Sequence, residues 1–244
     1  MATNKKHSLT GFYWLWFALT VVGVIISIWA PAYLMPQSMS SNMNLTILTM
    51  VVFSVAAAPV AAGVYAATAY LLRHNIYRGN SVPPAAEVQT RENARLTIGW
   101  VLASTLLTVF LLIWGLGALT VDNGGNESNP LVVNVTGQQW LWSFSYAGTH
   151  VESNTLVLPL DREVVFHITS KDVTHGFWIA QMGIQVDANA GAITELHTTP
   201  NKLGTFDIRC TQFCGLNHAF MVTQGQVMTT QGFDNWLAAQ PQRA

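Results

Sequence analysis

Three long apolar stretches occupy the first half of the sequence and predict three membrane-spanning helices. No Asp, Glu, Lys or Arg occurs between residues 8 and 72, and this length accommodates two spans with a loop between them. The predicted spans cover residues 10–33, 45–72 and 96–121. We therefore predict a transmembrane region in residues 1–122.

From residue 131 onward, the pattern changes to short runs in which apolar and polar positions tend to alternate. Five such runs predict strands, at residues 131–135, 155–158, 163–168, 204–209 and 225–228. Short strands separated by turn residues favour a β-sandwich or a β-barrel. The predicted fold class is thus membrane α plus all-β, with the β-domain in residues 123–244 and a short helix in its tail.

Composition supports a membrane protein and excludes one class of partner. Only 9% of the residues are charged, against about 25% in ordinary soluble domains. The formal net charge is −1, so no nucleic-acid partner is expected. The apolar spans are expected to contact membrane lipid.

The distribution of positive residues predicts the orientation. Lys5 and Lys6 precede the first span, and the loop after that span has no Lys or Arg. The loop after the second span carries four arginines, namely Arg73, Arg78, Arg91 and Arg95. By the positive-inside rule, the N-terminus is cytoplasmic and the β-domain is periplasmic or extracellular, on a multi-pass protein of the plasma (inner) membrane. The first span is longer than the apolar core of a signal peptide, which favours a retained helix.

The only two cysteines, Cys210 and Cys214, lie in one short segment with His218 and Met221. Thiolate, imidazole and thioether donors suit copper. A single blue-copper ion uses one thiolate, so two thiolates could bridge two copper ions, and each ion would need its own imidazole. His175 is the candidate for the second imidazole. A disulfide or two inert buried thiols would also explain the cysteine pair alone, but the neighbouring His and Met favour a metal site.

The segment from Cys210 to Met221 resembles the binuclear copper (CuA) loop of subunit II of haem-copper respiratory oxidases, such as cytochrome c oxidase. The resemblance extends to the sequence GQQWLW at residues 137–142, to residues 172–175 and to Asp187. It implies a cupredoxin-like β-barrel that holds two copper ions. The ligands that it implies are His175, Cys210, Cys214, His218, Met221 and the main-chain carbonyl of Gln212.

The resemblance also implies a function. The chain would take electrons from a soluble donor, either cytochrome c or a small copper protein, and pass them to the haem-bearing subunit I, which reduces oxygen to water. Haem and further copper are expected only in that partner, and other oxidase subunits would complete the complex. Trp140 occupies the position through which the family accepts electrons, with Trp142 beside it, and Leu141 replaces the usual tyrosine. The first span is additional to the two that related subunits usually have.

Two alternatives to the oxidase function stay open at this point. The same copper module would serve a membrane nitric oxide reductase, and a non-enzymatic membrane copper carrier would also use soft ligands. Gln212 stands where the commonest members of the family carry a glutamate that helps to hold magnesium. A neutral amide argues against that second metal and suggests the B-type branch of these oxidases.

The remaining polar residues are predicted to have structural roles. His150, His167 and His197 are expected at the surface or in strands rather than as ligands. Asp172 and Asp187 are either turn residues or acids near a subunit interface.

Overall fold

The computed structural model of the chain describes residues 9–75, 93–122 and 129–241. Lys5, Lys6, Arg78 and Arg91 lie outside the described residues, as do most of the predicted cytoplasmic loop and of the predicted linker after the third span. The contacts group into two compact units. The first contains Met1–Leu34 and Thr49–Leu116, and the second contains Met35–Leu48 and Gly117–Ala244.

Among the described residues, three helices are long and apolar enough to cross a membrane, as predicted. Helix α1 spans Thr10–Trp29, a short helix α2 spans Pro31–Leu34, helix α3 spans Ser41–Asn75 and helix α4 spans Ala94–Asp122. The predicted first span ran to residue 33, but α1 ends earlier, because proline has no N–H to continue the hydrogen-bond pattern and instead begins the next helix.

In the first unit, α1 packs against α3. The indole Nε1 of Trp16 donates a hydrogen bond of 2.8 Å to the carbonyl of Pro59. A side chain at Gly23 would place its Cβ 3.2 Å from the Cβ of Ala58, so the glycine allows the two helices to approach closely. The first span is therefore packed within this chain.

In the second unit, the residues that the structure describes form ten strands in two sheets. The strands are β1 Leu131–Gln138, β2 Leu141–Tyr146, β3 Glu152–Ser153, β4 Leu156–Pro159, β5 Val164–Ser170, β6 His175–Ile179, β7 Ile184–Ala188, β8 Thr194–Thr198, β9 Gly204–Cys210 and β10 Val222–Met228. The orders are β3-β2-β1-β5-β8 and β4-β10-β9-β6-β7, and helix α5 (Thr230–Ala239) follows. The predicted all-β domain is confirmed, and its core lies between the sheets.

Alternation along the strands decides which side chains enter that core. In β2, Trp142, Phe144 and Tyr146 are buried, whereas the intervening serines are half-buried. Successive side chains in a strand point to opposite faces, so one face of β2 is aromatic and apolar. The core therefore continues up to the end of the sheet at which β2 begins.

Strand register brings distant parts of the chain together at this end. In the antiparallel pair β6–β9, Phe177 lies opposite Cys210, so His175 at the start of β6 is near the end of β9. The β1–β2 turn contains Gln139 and Trp140. Strand β10 begins directly after Met221. All the residues predicted to form the metal site thus meet where these strands begin or end.

A segment between the first two predicted spans contributes to the second unit. Met39 donates its N–H to the carbonyl of Gln181 (2.8 Å) and accepts at its carbonyl from the N–H of Asn201 (2.9 Å). Met39 and Met43 are buried. The polar composition of this segment predicted a loop, but its backbone pairs with the β-domain and its methionines cover apolar surface.

Ser40 is the polar centre of this segment, and its replacement by alanine should destabilise the second unit. Its buried hydroxyl donates to the carbonyl of Met182 (2.6 Å) and accepts from the N–H of Met43 (3.1 Å). Ser40→Ala leaves both partners without this contact, at a cost of roughly 1–3 kcal/mol. The measurement is chemical denaturation of the detergent-solubilised protein followed by tryptophan fluorescence.

The exposed Ser41, whose side chain has no hydrogen bond among the described residues, gives the control Ser41→Ala. Equal midpoints for both variants would contradict this role.

Candidate metal centre

The loop between β9 and β10 places the two cysteines side by side. A hydrogen bond of 3.1 Å from the N–H of Cys210 to the carbonyl of Met221 closes this loop at its base. The sulfur atoms of Cys210 and Cys214 are 3.7 Å apart, and both cysteines are free and buried. The sulfur of Met221 lies 3.8 Å from that of Cys214, and the carbonyl of Gln212 lies 3.2 Å from the sulfur of Cys210.

Each cysteine sulfur faces its own imidazole. The Nδ1 of His175 lies 3.9 Å from the sulfur of Cys210, and the Nδ1 of His218 lies 3.6 Å from the sulfur of Cys214. The ligand atoms of His175, Cys210 and Cys214 all lie within 4.8 Å of one another, and these three residues could hold a metal ion. The structure thus brings together all six residues that the sequence suggested as ligands.

Asp172 orients the ring of His175. Its Oδ1 lies 2.8 Å from the Nε2 of the buried ring, and its Oδ2 accepts from the N–H of Gln139 at 2.8 Å. Partial burial alone would raise the pKa of Asp172, but the hydrogen bonds from Gln139, His175 and Val173 outweigh it and lower that pKa from 3.8 to about 2. The carboxylate stabilises the folded state fully above pH 3.8, and this contribution is lost as the pH falls towards 2. Because Asp172 contacts Nε2, the ring of His175 is held with its other nitrogen, Nδ1, directed at the cysteines.

The thiol of Cys214 is protonated at neutral pH in the metal-free chain. Burial raises its pKa to about 11, and the hydrogen bond and charge of the nearby Cys210 act in the same direction. A metal ion binds the thiolate, so its binding must release the proton.

Two glycines allow the ligand loops to approach the sheets. A Cβ at Gly137 in β1 would lie 3.0 Å from Cδ2 of His175 and 3.1 Å from the ring of Trp142. A Cβ at Gly176 would collide with the hydroxyl of Thr211 in the cysteine loop. A side chain at Gly176 would therefore clash, and one at Gly137 would require the rings of His175 and Trp142 to shift by a few tenths of an ångström.

The two tryptophans predicted to accept electrons occupy different environments. Trp140 is half-buried, and its Nε1 donates to the carbonyl of Cys214 at 3.3 Å. Trp142 is only 2% exposed and packs edge-on against His175, with ring centroids 5.9 Å apart. A soluble donor could therefore approach Trp140 but not Trp142 directly.

Three further histidines of the β-domain are not near the cysteine loop: His167 and His197 lie in strands, and His150 is exposed. His167 in β5 lies 3.4 Å from Glu195, and His197 in β8 lies 2.9 Å from Glu163. Strands β5 and β8 pair with each other in the sheet that does not carry the cysteine loop. Asp187 is exposed in β7. The sequence had not singled out Gln139, whose side-chain Nε2 donates to the carbonyl of Cys214 at 2.8 Å.

The structure combines three helices that are long and apolar enough to cross a membrane with a β-domain whose His and Cys residues could hold a soft or borderline metal ion. Residues 149–227 match the family described as cytochrome c oxidase subunit II, periplasmic domain. The match includes His175 and the whole cysteine loop. It confirms the resemblance that the sequence motifs indicated and the cupredoxin-like class of the β-domain.

Homologues are cytochrome c oxidase subunit 2 proteins. The chain is 34% identical over 122 residues to that of Thermostichus vulcanus, covering 50% of this chain and 36% of the relative. It is 27% identical over 184 residues to the probable subunit 2 of Rickettsia bellii, covering 66% of each. The chain thus spans between about a third and two thirds of these relatives.

Two solved structures match part of the chain. The periplasmic domain of subunit II of cytochrome oxidase from Bradyrhizobium japonicum is 26% identical, with a TM-score of 0.43, and the similarity covers 47% of this chain and 95% of that one. A haem-copper terminal oxidase dimer contains a chain that is 23% identical, with a TM-score of 0.41, over 56% of this chain and 99% of that one.

Replacing Asp172 should weaken metal binding, because an amide has a single acceptor oxygen and cannot accept from both the His175 ring and the Gln139 N–H. We expect Asp172→Asn to lose roughly 10- to 100-fold in copper affinity, the range typical of such outer partners of a ligating histidine. Copper retention against a chelator measures this. Asp187→Asn removes the same charge from an exposed strand position and serves as the control. Equal retention by the two variants would show that Asp172 does not support the site.

Proposed function

We propose that this chain is the electron-accepting subunit of a terminal haem-copper oxidase and holds a binuclear copper centre (CuA) at the end of its β-domain. The proposed ligands are His175, Cys210, Cys214, His218, Met221 and the carbonyl of Gln212. Electrons from a soluble donor would reach the haem-bearing subunit, which reduces oxygen to water.

One observation carries this proposal: two cysteine sulfurs lie 3.7 Å apart, and each faces its own imidazole nitrogen. A site for one structural zinc ion would need only four donors, whereas this loop end gathers six. Sulfur and imidazole donors favour copper over magnesium or calcium. When bound, a binuclear copper centre supplies one-electron redox chemistry in which the charge is shared by two ions.

The residues of the chain restrict movement of the ligands. His175 is fully buried and is fixed by Asp172, and the two cysteines and Met221 are buried in the same loop. Rigid ligands change position little when the charge of the site changes, which favours rapid electron transfer.

We further propose that the donor docks on an apolar surface next to Trp140. Phe213, Leu216 and Phe220 in the cysteine loop are 81%, 90% and 81% exposed, and Leu141 beside Trp140 is 45% exposed. The sequence of the β-domain has only a slight acidic excess. The docking of a weakly charged donor would therefore rest on apolar contact, with little electrostatic steering.

The proposed orientation follows from the arginines and lysines of the sequence. The N-terminus and the loop after α3 would be cytoplasmic, and the β-domain would lie outside the inner membrane. Subunit I and other oxidase subunits would be the partners within the membrane, since the three apolar helices would lie beside them.

Loss of either thiol tests the copper site. We expect the wild-type protein to bind two copper ions per chain with a mixed-valence spectrum, and Cys210→Ser or Cys214→Ser to abolish that spectrum, because a hydroxyl is a poor substitute for a bridging thiolate. Electron paramagnetic resonance and copper analysis of the purified protein measure both. A mixed-valence spectrum that survives the double replacement would refute the site.

Gas consumption by the purified complex separates the possible catalytic partners. With an artificial electron donor, oxygen uptake that exceeds nitric oxide uptake supports the terminal oxidase. The reverse result would assign the chain to a nitric oxide reductase. Neither activity, together with a single exchangeable copper ion and no haem, would indicate a copper carrier.

Replacing Trp140 tests the proposed path of the electron. Trp140→Ala should slow reduction of the centre by the soluble donor while copper content stays at the wild-type level, because the indole lies between the surface and the Cys214 carbonyl. Trp140→Phe keeps an aromatic ring and should be less impaired. Stopped-flow reduction at low and high salt measures both variants, and we expect little salt dependence. Unchanged kinetics in Trp140→Ala would refute this role.

A further inference from the structure

We propose that Gln139 is a positioning residue that clamps the cysteine loop at the peptide between Cys214 and Gly215. The inference rests on the proposed copper site and deepens it, since Gln139 itself would bind no metal. Its role would be to hold Cys214 in place and to set the electronic environment of that ligand.

Gln139 contacts both loops that supply ligands. Its side-chain Nε2 donates to the carbonyl of Cys214 over 2.8 Å, and its main-chain N–H donates to Oδ2 of Asp172 over 2.8 Å. Asp172 in turn orients His175. One residue in the β1–β2 turn therefore connects the loop of the cysteines to the loop of the buried histidine.

The carbonyl of Cys214 receives a second donor from the next residue. Trp140 Nε1 lies 3.3 Å from the same oxygen. A carbonyl oxygen has two lone pairs, so it can accept from both donors. The two hydrogen bonds together fix the orientation of the peptide to which the Cys214 side chain is attached.

Gly215 fits the loop to Gln139. Its φ of 116° is a conformation that residues with side chains rarely adopt. A Cβ at this position would lie 3.0 Å from Nε2 of Gln139. The backbone turn thus favours glycine at this position, and the Gln139 amide lies close to it.

This arrangement predicts an effect on the redox properties of the site. Reduction adds negative charge at the metal and its sulfur ligands. Hydrogen-bond donors next to a ligand residue stabilise the more negative form, and such outer partners tune reduction potential and metal affinity. Loss of the Gln139 donor should therefore lower the reduction potential and loosen the cysteine loop.

The test is Gln139→Met in the full-length, copper-loaded protein, because methionine is similar in size and has no donor. We expect a lower reduction potential by redox titration, an altered visible spectrum, and roughly tenfold weaker copper retention against a chelator. Gln138→Met is the matched control. Gln138 is exposed, and its side chain has no hydrogen bond among the residues that the structure describes.

A second measurement separates a positioning role from general support of the fold. Because Gln139 and Trp140 donate to the same oxygen, the shifts in potential caused by Gln139→Met and Trp140→Phe should be non-additive in the double variant. If Gln139→Met does not fold, Gln139→Asn replaces it, since the shorter side chain keeps the amide but cannot reach Cys214.

The outcomes distinguish this inference from the proposed function. A wild-type protein that takes up no copper would overturn the copper site itself. A normal wild-type centre, with the potential, spectrum and copper retention of Gln139→Met unchanged, would overturn only the role of Gln139.

Discussion

The metal centre depends on closure of the cysteine loop at its base. Cys210 ends one strand and Met221 immediately precedes the next, and the hydrogen bond between their main chains joins the two ends of the loop. Ordering a loop costs conformational entropy, which the burial of Cys210, Cys214 and Met221 against the core helps to offset. The strand pair is thus the scaffold on which both thiols are held together.

The second half of the site is held by polar contacts. His175 reaches the cysteines from β6, and the carboxylate of Asp172 fixes its ring from behind. Gln139 extends these contacts from Asp172 to the carbonyl of Cys214. Because both ligand loops are tied to the same turn, the donor atoms are held near one another. Such restraint suits the proposed electron transfer, which requires little rearrangement of the ligands.

The second unit also includes a segment from the first half of the sequence, Met35–Leu48. Met39 and Met43 add apolar surface to it, and Ser40 satisfies one of its carbonyls. Asn42 accepts from the hydroxyl of Thr198 in β8 at 2.8 Å. A short polar segment can be integral to a β-domain when its backbone groups pair and its few apolar side chains are covered.

The sequence by itself determined the three apolar spans, five of the strands and the clustering of Cys210, Cys214, His218 and Met221. These features depend on local composition and on spacing within a few residues, so they can be identified without knowing the fold. The complete set of candidate ligands followed from the resemblance to subunit II of the haem-copper oxidases. Strands β2, β3, β6, β7 and β8 were not among the five predicted strands. Strand β6 is buried along most of its length and so lacks the alternation of apolar and polar positions, and β3 has only two residues. Only the tertiary structure decided that Asp172 orients His175, that Gln139 holds Cys214 and that Trp142 is buried. The contact between Gln139 and Cys214 joins parts of the chain 75 residues apart, so local sequence does not encode it. The contact between Asp172 and His175 is local, but it depends on a side-chain geometry that the sequence pattern does not show.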